Sequence, residues 1–213
     1  MTTTMAEAKK IFQTKTTPEI AEFLIGMYLE HRLPDGSRLG GWIVDCEAYL
    51  GPDDEAAHSY GMRRTPRVRA MYEEAGTIYL YTMHTHLILN MVTQKAGLPQ
   101  GVMIRGLEPD PASLPQMIEN RGGKSGPTLS DGPGKLIAAL KVTPDFYGQS
   151  IFTSDLHLVP KKRRQAKQIL RLPRIGIPNK GKWTELPLRF ACAGNPYLSN
   201  QKKTAVVPDH GWQ

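Results

Sequence analysis

The chain has 213 residues, 40% hydrophobic and 22% charged, which suits one generous globular domain with a substantial core. No apolar run reaches the roughly 18 residues of a membrane-spanning helix, and the first residues lack the apolar core of a secretion signal. Two cysteines, Cys46 and Cys192, supply neither a disulfide framework nor metal-type spacing, so a reducing, intracellular setting is expected.

The formal net charge of +7 is unevenly spread. From Leu156 to Thr184 there is no acid and nine basic residues: Lys161, Lys162, Arg163, Arg164, Lys167, Arg171, Arg174, Lys180 and Lys182. Such a run is either a solvated surface or an attractor of polyanions, nucleic acid above all. A membrane surface fits less well, because the run has no wide apolar face.

In chain order, Thr17-Pro18 opens a helix, with Thr17 as N-cap and Pro18 in the first helical position. Ile20, Phe23, Leu24, Met27 and Tyr28 follow helical spacing and face the core. Leu33 to Gly36 is a turn. A strand runs from Trp42 to Leu50. Trp42, Val44, Cys46, Ala48 and Leu50 share one face, and Ile43, Asp45, Glu47 and Tyr49 share the other, the alternation of a half-buried strand. Gly51-Pro52 stops it.

A short helix is expected to begin between Glu55 and Ser59, followed by a basic loop from Met62 to Arg69. Strands follow over Gly76 to Thr82, with Thr77, Tyr79 and Tyr81 on one face, and over Gln100 to Leu107. Asp131 to Lys135 opens a helix with Leu136, Ile137 and Leu140 as its apolar stripe. Further strands are expected over Thr153 to Pro160 and Leu186 to Ala193. Strands and helices do not alternate regularly, which points to a single mixed α+β domain.

Four ordered blocks carry chemistry. The first runs from Glu47-Ala48-Tyr49-Leu50-Gly51-Pro52 through Asp54-Glu55-Ala56-Ala57-His58-Ser59. The second is Arg64-Thr65-Pro66-Arg67 with Arg69, then Gly76 to Tyr81. The third is Ile104-Arg105-Gly106-Leu107-Glu108-Pro109. The fourth combines Gly132 to Leu136, Arg174-Ile175-Gly176-Ile177 and Pro187-Leu188-Arg189-Phe190. Together these resemble the alkyladenine (3-methyladenine) DNA glycosylase family over about residues 17 to 200.

The resemblance implies a curved, largely antiparallel sheet flanked by helices, with a protruding hairpin. It implies a catalytic domain over 17–200, between a flexible segment at 1–16 and a C-terminal tail at 201–213. It also implies metal-free, cofactor-free hydrolysis of the N-glycosidic bond of damaged purines in double-stranded DNA. The substrates implied are 3-methyladenine, 7-methylguanine, hypoxanthine and ethenoadenine. Glu47 is then the general base and Arg105 orients the attacking water. Tyr49 and Tyr81 stack on the flipped purine, His58 hydrogen-bonds it, and Asn90 screens its exocyclic groups. Ile175 offers a backbone carbonyl to the water.

Arg64, Arg67, Arg69, Lys135, Lys162 and Arg163 are the expected DNA contacts. Family members usually place a tyrosine between Tyr81 and Asn90 as a wedge in the duplex. Thr82 to Leu89 holds none, so Met83 or His84 is expected to serve. A monomer is expected, cytoplasmic and nucleoid-associated in a bacterium or nuclear in a eukaryote.

Two other readings fit the residues. Asp45, Glu47, Asp53, Asp54, Glu55 and His58 lie close enough in sequence for a metal-dependent nuclease. The basic C-terminal half alone would suit a non-catalytic nucleic-acid-binding module.

Overall fold

The computed structural model describes residues 3–213, beginning with two short helices, α1 (Met5–Thr14) and α2 (Thr17–Leu24). Each starts with a capping box, Thr4 with Glu7 and Thr16 with Glu19, which satisfies backbone donors that a helix start leaves free. The cap of α2 is therefore Thr16 rather than Thr17. Within the segment expected to be flexible, residues 5–14 are helical instead. Ala8 and Phe12 are buried, and Phe12 meets Phe152 edge-on at 5.1 Å. The apolar spacing that suggested one long second helix breaks after Leu24, because Gly26 takes φ +82° and Tyr28 already belongs to a strand.

The sheet follows as β1 (Tyr28–Arg32), β2 (Arg38–Tyr49), β3 (Ile78–Met83), β4 (His86–Val92) and β5 (Gly101–Pro109). Helices α3 (Leu114–Asn120) and α4 (Pro133–Ala139) come next. The chain closes with β6 (Leu156–Leu158), β7 (Ile169–Leu172), α5 (Lys182–Glu185) and β8 (Arg189–Cys192). The strand order is β3-β4-β5-β2-β1-β6, β8 pairs with both β2 and β7, and every pairing is antiparallel. This is a curled antiparallel sheet with helices against it, a single mixed α+β domain.

The long strand β2 organises the site. On one side it pairs with β5 from Gly41 to Tyr49. On the other, β1 takes its first half and β8 pairs with Asp45 to Glu47. It is therefore buried on both faces from Leu39 to Ala48, not half-buried as alternation suggested. The second face is not apolar; it hides its acids against arginines.

The β2–β5 ladder also slips. Ile43 faces Leu107, Asp45 faces Gly106 and Cys46 faces Ile104, which leaves Val44 and Arg105 as extra residues on their strands. A bulge of this kind re-aims a side chain. Gly106 fits it because a Cβ there would lie 2.5 Å from the Tyr197 carbonyl oxygen.

Glu55 to Ser59 forms turns rather than a helix, and the basic loop contains a 3₁₀ helix over Pro66–Tyr72. The C-terminal tail folds back onto the domain. Trp212 bridges to Ala166, is buried, and donates its indole N–H to Glu108 Oε2 at 2.7 Å.

Candidate active site

Glu47 has no exposed surface and is held by an ion pair and two hydrogen-bond donors. Arg105 Nη1, re-aimed by the bulge, lies 3.2 Å from Oε1. The Ile175 N–H donates to the same oxygen at 2.8 Å. The Tyr49 hydroxyl, two residues along the same strand face, donates to Oε2 at 2.9 Å. Burial pushes the Glu47 carboxyl above its ordinary range, and Arg105, the Ile175 N–H and Tyr49 oppose that in decreasing order. Tyr49 itself stays protonated, because burial and the neighbouring Glu47 raise its phenol.

Tyr49, Arg105 and Ile175 border a cavity of about 150 Å³. Its walls are largely aromatic and thioether, from Tyr79 and Tyr81 on β3, Met103 on β5 and Met71. Asn90 on β4 lines it too, its amide donating to the Tyr79 carbonyl at 3.4 Å. His58 stands edge-on to Tyr81, ring centroids 4.6 Å apart, with Nδ1 2.9 Å from the Tyr79 hydroxyl. Burial, then Arg67 and Arg63, push the imidazole below its ordinary range, so it is neutral near pH 7. With Tyr79 as donor, the proton sits on Nε2.

Seven residues named from sequence as catalytic or substrate-binding thus meet here: Glu47, Arg105, Tyr49, His58, Tyr81, Asn90 and Ile175. Ile175 meets the site through its N–H on Glu47. Sequence reasoning passed over Tyr79, Met71 and Met103. Tyr79 carried a signal, since period-2 spacing puts it on the face of Tyr81. It had named Asp54 and Arg174 separately but not as partners; they are fully buried and 2.6 Å apart.

The hairpin between β3 and β4 turns on His84 and Thr85, with φ +47° and +68°. Positive φ at both positions is the type I′ pattern that matches strand twist. Met83 lines the cavity and is 45% exposed, while His84 sits on the exposed turn. The hairpin rests on α4 close to its turn, where a Cβ at Gly134 would lie 2.6 Å from His86 Cβ.

The expected DNA contacts divide into two groups. Arg67 and Arg69 lie on the 3₁₀ helix beside β3, and Arg64 just precedes it. The Arg67 guanidinium is 5.1 Å from the Tyr81 ring centroid, and that of Arg64 is 4.1 Å from Tyr72. Lys135 on α4 pairs with Asp131 at 2.6 Å. Lys162 and Arg163 lie elsewhere. The Lys162 carbonyl accepts the Trp42 indole N–H, and Trp42 is five residues before Glu47 along β2, about 17 Å at the usual strand rise.

The basic run is less free than its sequence suggests. Lys162 pairs with Glu30, Arg164 with Glu108, Lys167 with Asp209, Arg171 with Glu22 and Arg174 with Asp54. The acids that neutralise it come from distant parts of the chain.

The carboxylates of the nuclease reading do not converge. Asp45 binds Arg189 at 2.8 and 2.7 Å, Asp54 binds Arg174, and Glu47 binds Arg105. Among the described residues, no three His, Cys, Asp or Glu side chains gather as a metal-binding group.

A family model described as methylpurine-DNA glycosylase matches residues 11–196. A protein of Enterococcus faecalis, named "Putative 3-methyladenine DNA glycosylase", is 65% identical over 210 residues, 98% of this chain and 91% of that one. Proteins of the same name from Staphylococcus carnosus and Lactiplantibacillus plantarum are 50% and 44% identical. The alignments cover 92% and 98% of this chain, and 94% and 99% of theirs. A curled sheet carrying a buried carboxylate beside an aromatic cavity is thus the frame of a DNA-base hydrolase. The chain belongs to the methylpurine-DNA glycosylase family, enzymes of DNA repair that hydrolyse N-glycosyl bonds. Among the described residues, no helix is long and apolar enough to cross a membrane.

Proposed function

We propose that this protein is a monomeric glycosylase that flips a damaged purine out of duplex DNA into the aromatic cavity and releases it by Glu47-activated water attack. The substrate class is alkylated or deaminated purines: 3-methyladenine, 7-methylguanine, hypoxanthine and ethenoadenine. The observation that carries the reading is the setting of Glu47, a buried carboxylate held by Arg105, the Ile175 N–H and Tyr49, three residues that line the tyrosine-walled cavity.

Extrusion costs a few kcal/mol, least for a weakly paired lesion. Stacking on Tyr49 and Tyr81 offsets that cost. His58 Nε2–H offers a hydrogen bond to an acceptor on the base, and Asn90 stands where exocyclic groups would be tested. Glu47 takes a proton from the water as its oxygen bonds to the sugar C1′. The bond from C1′ to the base nitrogen breaks, and an abasic site remains. Arg105 keeps the carboxylate charged and its water in line.

Met83 fills the vacated stack, and Arg64, Arg67, Arg69 and Lys135 contact phosphates around the hairpin. Such a protein works in the cytoplasm at the nucleoid, in keeping with its bacterial relatives. The test is incubation in EDTA with a duplex containing hypoxanthine, followed by alkali. Strand breaks that need the alkali step support a glycosylase. Breaks without alkali, or activity lost in chelator, favour the nuclease reading, and binding with no product favours a non-catalytic module.

A further inference from the structure

Arg174 is buried and makes a two-pronged contact with Asp54, Nη1 to Oδ2 at 2.6 Å and Nη2 to Oδ1 at 2.9 Å. Its remaining bonds go to backbone carbonyls, Nη1 to Ala48 at 3.1 Å and Nη2 to Trp183 at 3.3 Å. Its guanidinium lies 4.5 Å from the Tyr49 ring centroid. The Asp54 oxygens also accept the Leu50 and Ala56 N–H groups, each at 3.0 Å.

Apart from the Trp183 carbonyl, each partner atom sits within one or two residues of a site residue. Ala48 lies between Glu47 and Tyr49. Ile175, whose N–H holds Glu47, directly follows Arg174. Ala56 lies two residues before His58. A buried ion pair adds little net stability compared with apolar packing of the same shape. What this pair does is fix backbone.

We propose that Asp54 and Arg174 are positioning residues that set Glu47, Tyr49 and His58 relative to one another across the cavity. Asp54 ties the loop carrying His58 to the end of β2. Arg174 ties the segment carrying Ile175 to the same strand and braces the Tyr49 ring from behind. The inference rests on Glu47 being the general base, as proposed above.

A fork differs from a point charge, so Arg174→Lys keeps the charge but loses the simultaneous bonds to Asp54, Ala48 and Trp183. Ile175 then shifts, and its N–H bond to Glu47 weakens. That bond holds the Glu47 carboxyl down. The other groups facing Glu47 are Asp45, Cys46 and Tyr49 on its own strand, Arg105 on β5, Arg189 on β8 and Tyr81 on β3. Of these only Tyr49 touches Arg174, and weakening its bond to Glu47 would raise the carboxyl in the same direction. Weakening the N–H bond raises the carboxyl, and activity that needs ionised Glu47 is lost at a higher pH as the medium is acidified.

The experiment is single-turnover excision of hypoxanthine from duplex across pH, with duplex affinity and thermal denaturation measured on the same samples. Variants are Arg174→Lys, Asp54→Asn and, as a control pair outside the site, Arg164→Lys at Glu108. The expected result is a rate loss of about tenfold or more in the first two, affinity within about twofold, and an acid limb moved to higher pH. Arg164→Lys should lose stability without moving the limb. Wild-type rate and limb in both site variants overturn the proposal, as does a rate loss no larger than that of Arg164→Lys with the limb unmoved. Asp54→Asn is isosteric, so it remains measurable where the lysine variant unfolds. Loss of fold in both also overturns the proposal, making the pair an element of global stability. Glu47→Gln is run alongside. If it excises normally, the Glu47 reading fails, whatever the clamp variants do.

Discussion

Arg105, which lies 3.2 Å from Glu47, is the extra residue of a bulge in the ladder between their strands. The slip, with glycine beside it at position 106, converts a structural strand into the support of a charged pair. Arg105 Nε is buried with no partner among the described residues, so one donor of this guanidinium remains unused by the protein.

Glu47→Gln should reduce single-turnover excision by roughly 10²–10⁴-fold, the usual contribution of a general base. The amide is isosteric and can still accept from the Ile175 N–H, so folding and affinity for lesion DNA should persist. Near-normal excision would remove Glu47 from the chemistry. Parallel loss of binding would instead indicate a damaged fold.

Arg105→Ala should slow excision by about 10- to 100-fold, with a smaller effect on binding. Arg105 is the largest influence holding the Glu47 carboxyl down against burial. Without it the carboxyl rises further, so the acid limb of the pH–rate profile should move to higher pH. Full activity should return only where Glu47 is again ionised. A variant that excises normally but binds poorly would assign Arg105 to the DNA backbone.

Affinity for undamaged duplex should fall steeply with salt, with a log–log slope near −0.9 for each phosphate neutralised. Replacing Arg64 and Arg69 together by Gln should flatten the slope by up to about 2. Arg67 is left in place because it lies over the Tyr81 ring and donates to the Thr82 carbonyl. Replacing Lys162 and Arg163 should change the slope less. Lys162 is paired with Glu30, and Arg163 is seated on the Phe23 ring and carbonyl. An unchanged slope in the first variant and a flattened one in the second would move the DNA-binding face to the Trp42 end of β2.

Much of the site was legible because its residues sit at fixed offsets on strands. Glu47 and Tyr49 share a face at spacing two, and Tyr79 and Tyr81 do the same. The pairings that complete it were not, because they join residues far apart in the chain. Asp54 and Arg174 are 120 positions apart and Asp45 and Arg189 are 144, so the basic run looked free when half of it is paired. Strand β4 went unseen because Leu87 to Val92 is buried throughout except at its start, without the polar–apolar alternation that marks a half-buried strand. Helix α1 was hidden for the opposite reason. It packs on the core by few side chains, Ala8 and Phe12 chief among them.

Met83→Ala should lower hypoxanthine excision from duplex more than from single-stranded DNA, because only the duplex has a vacated stack to fill. Met83 is the last residue of β3, pairs across the hairpin with His86, lines the cavity and is 45% exposed. A flexible thioether in that position can slide between base steps as an apolar wedge. His84 is one residue further out, and its positive φ is fixed by the two-residue turn. With Met83 as the wedge, the task left to His84 is the turn itself. His84→Ala strains a position with φ +47° and should weaken the hairpin, whereas His84→Asn suits the left-handed conformation and should leave excision near normal. The comparison separates wedge from turn. Loss in Met83→Ala with retention in His84→Asn identifies the methionine. The reverse pattern identifies the histidine ring. Unchanged duplex rates in both variants would place the wedge elsewhere on the chain.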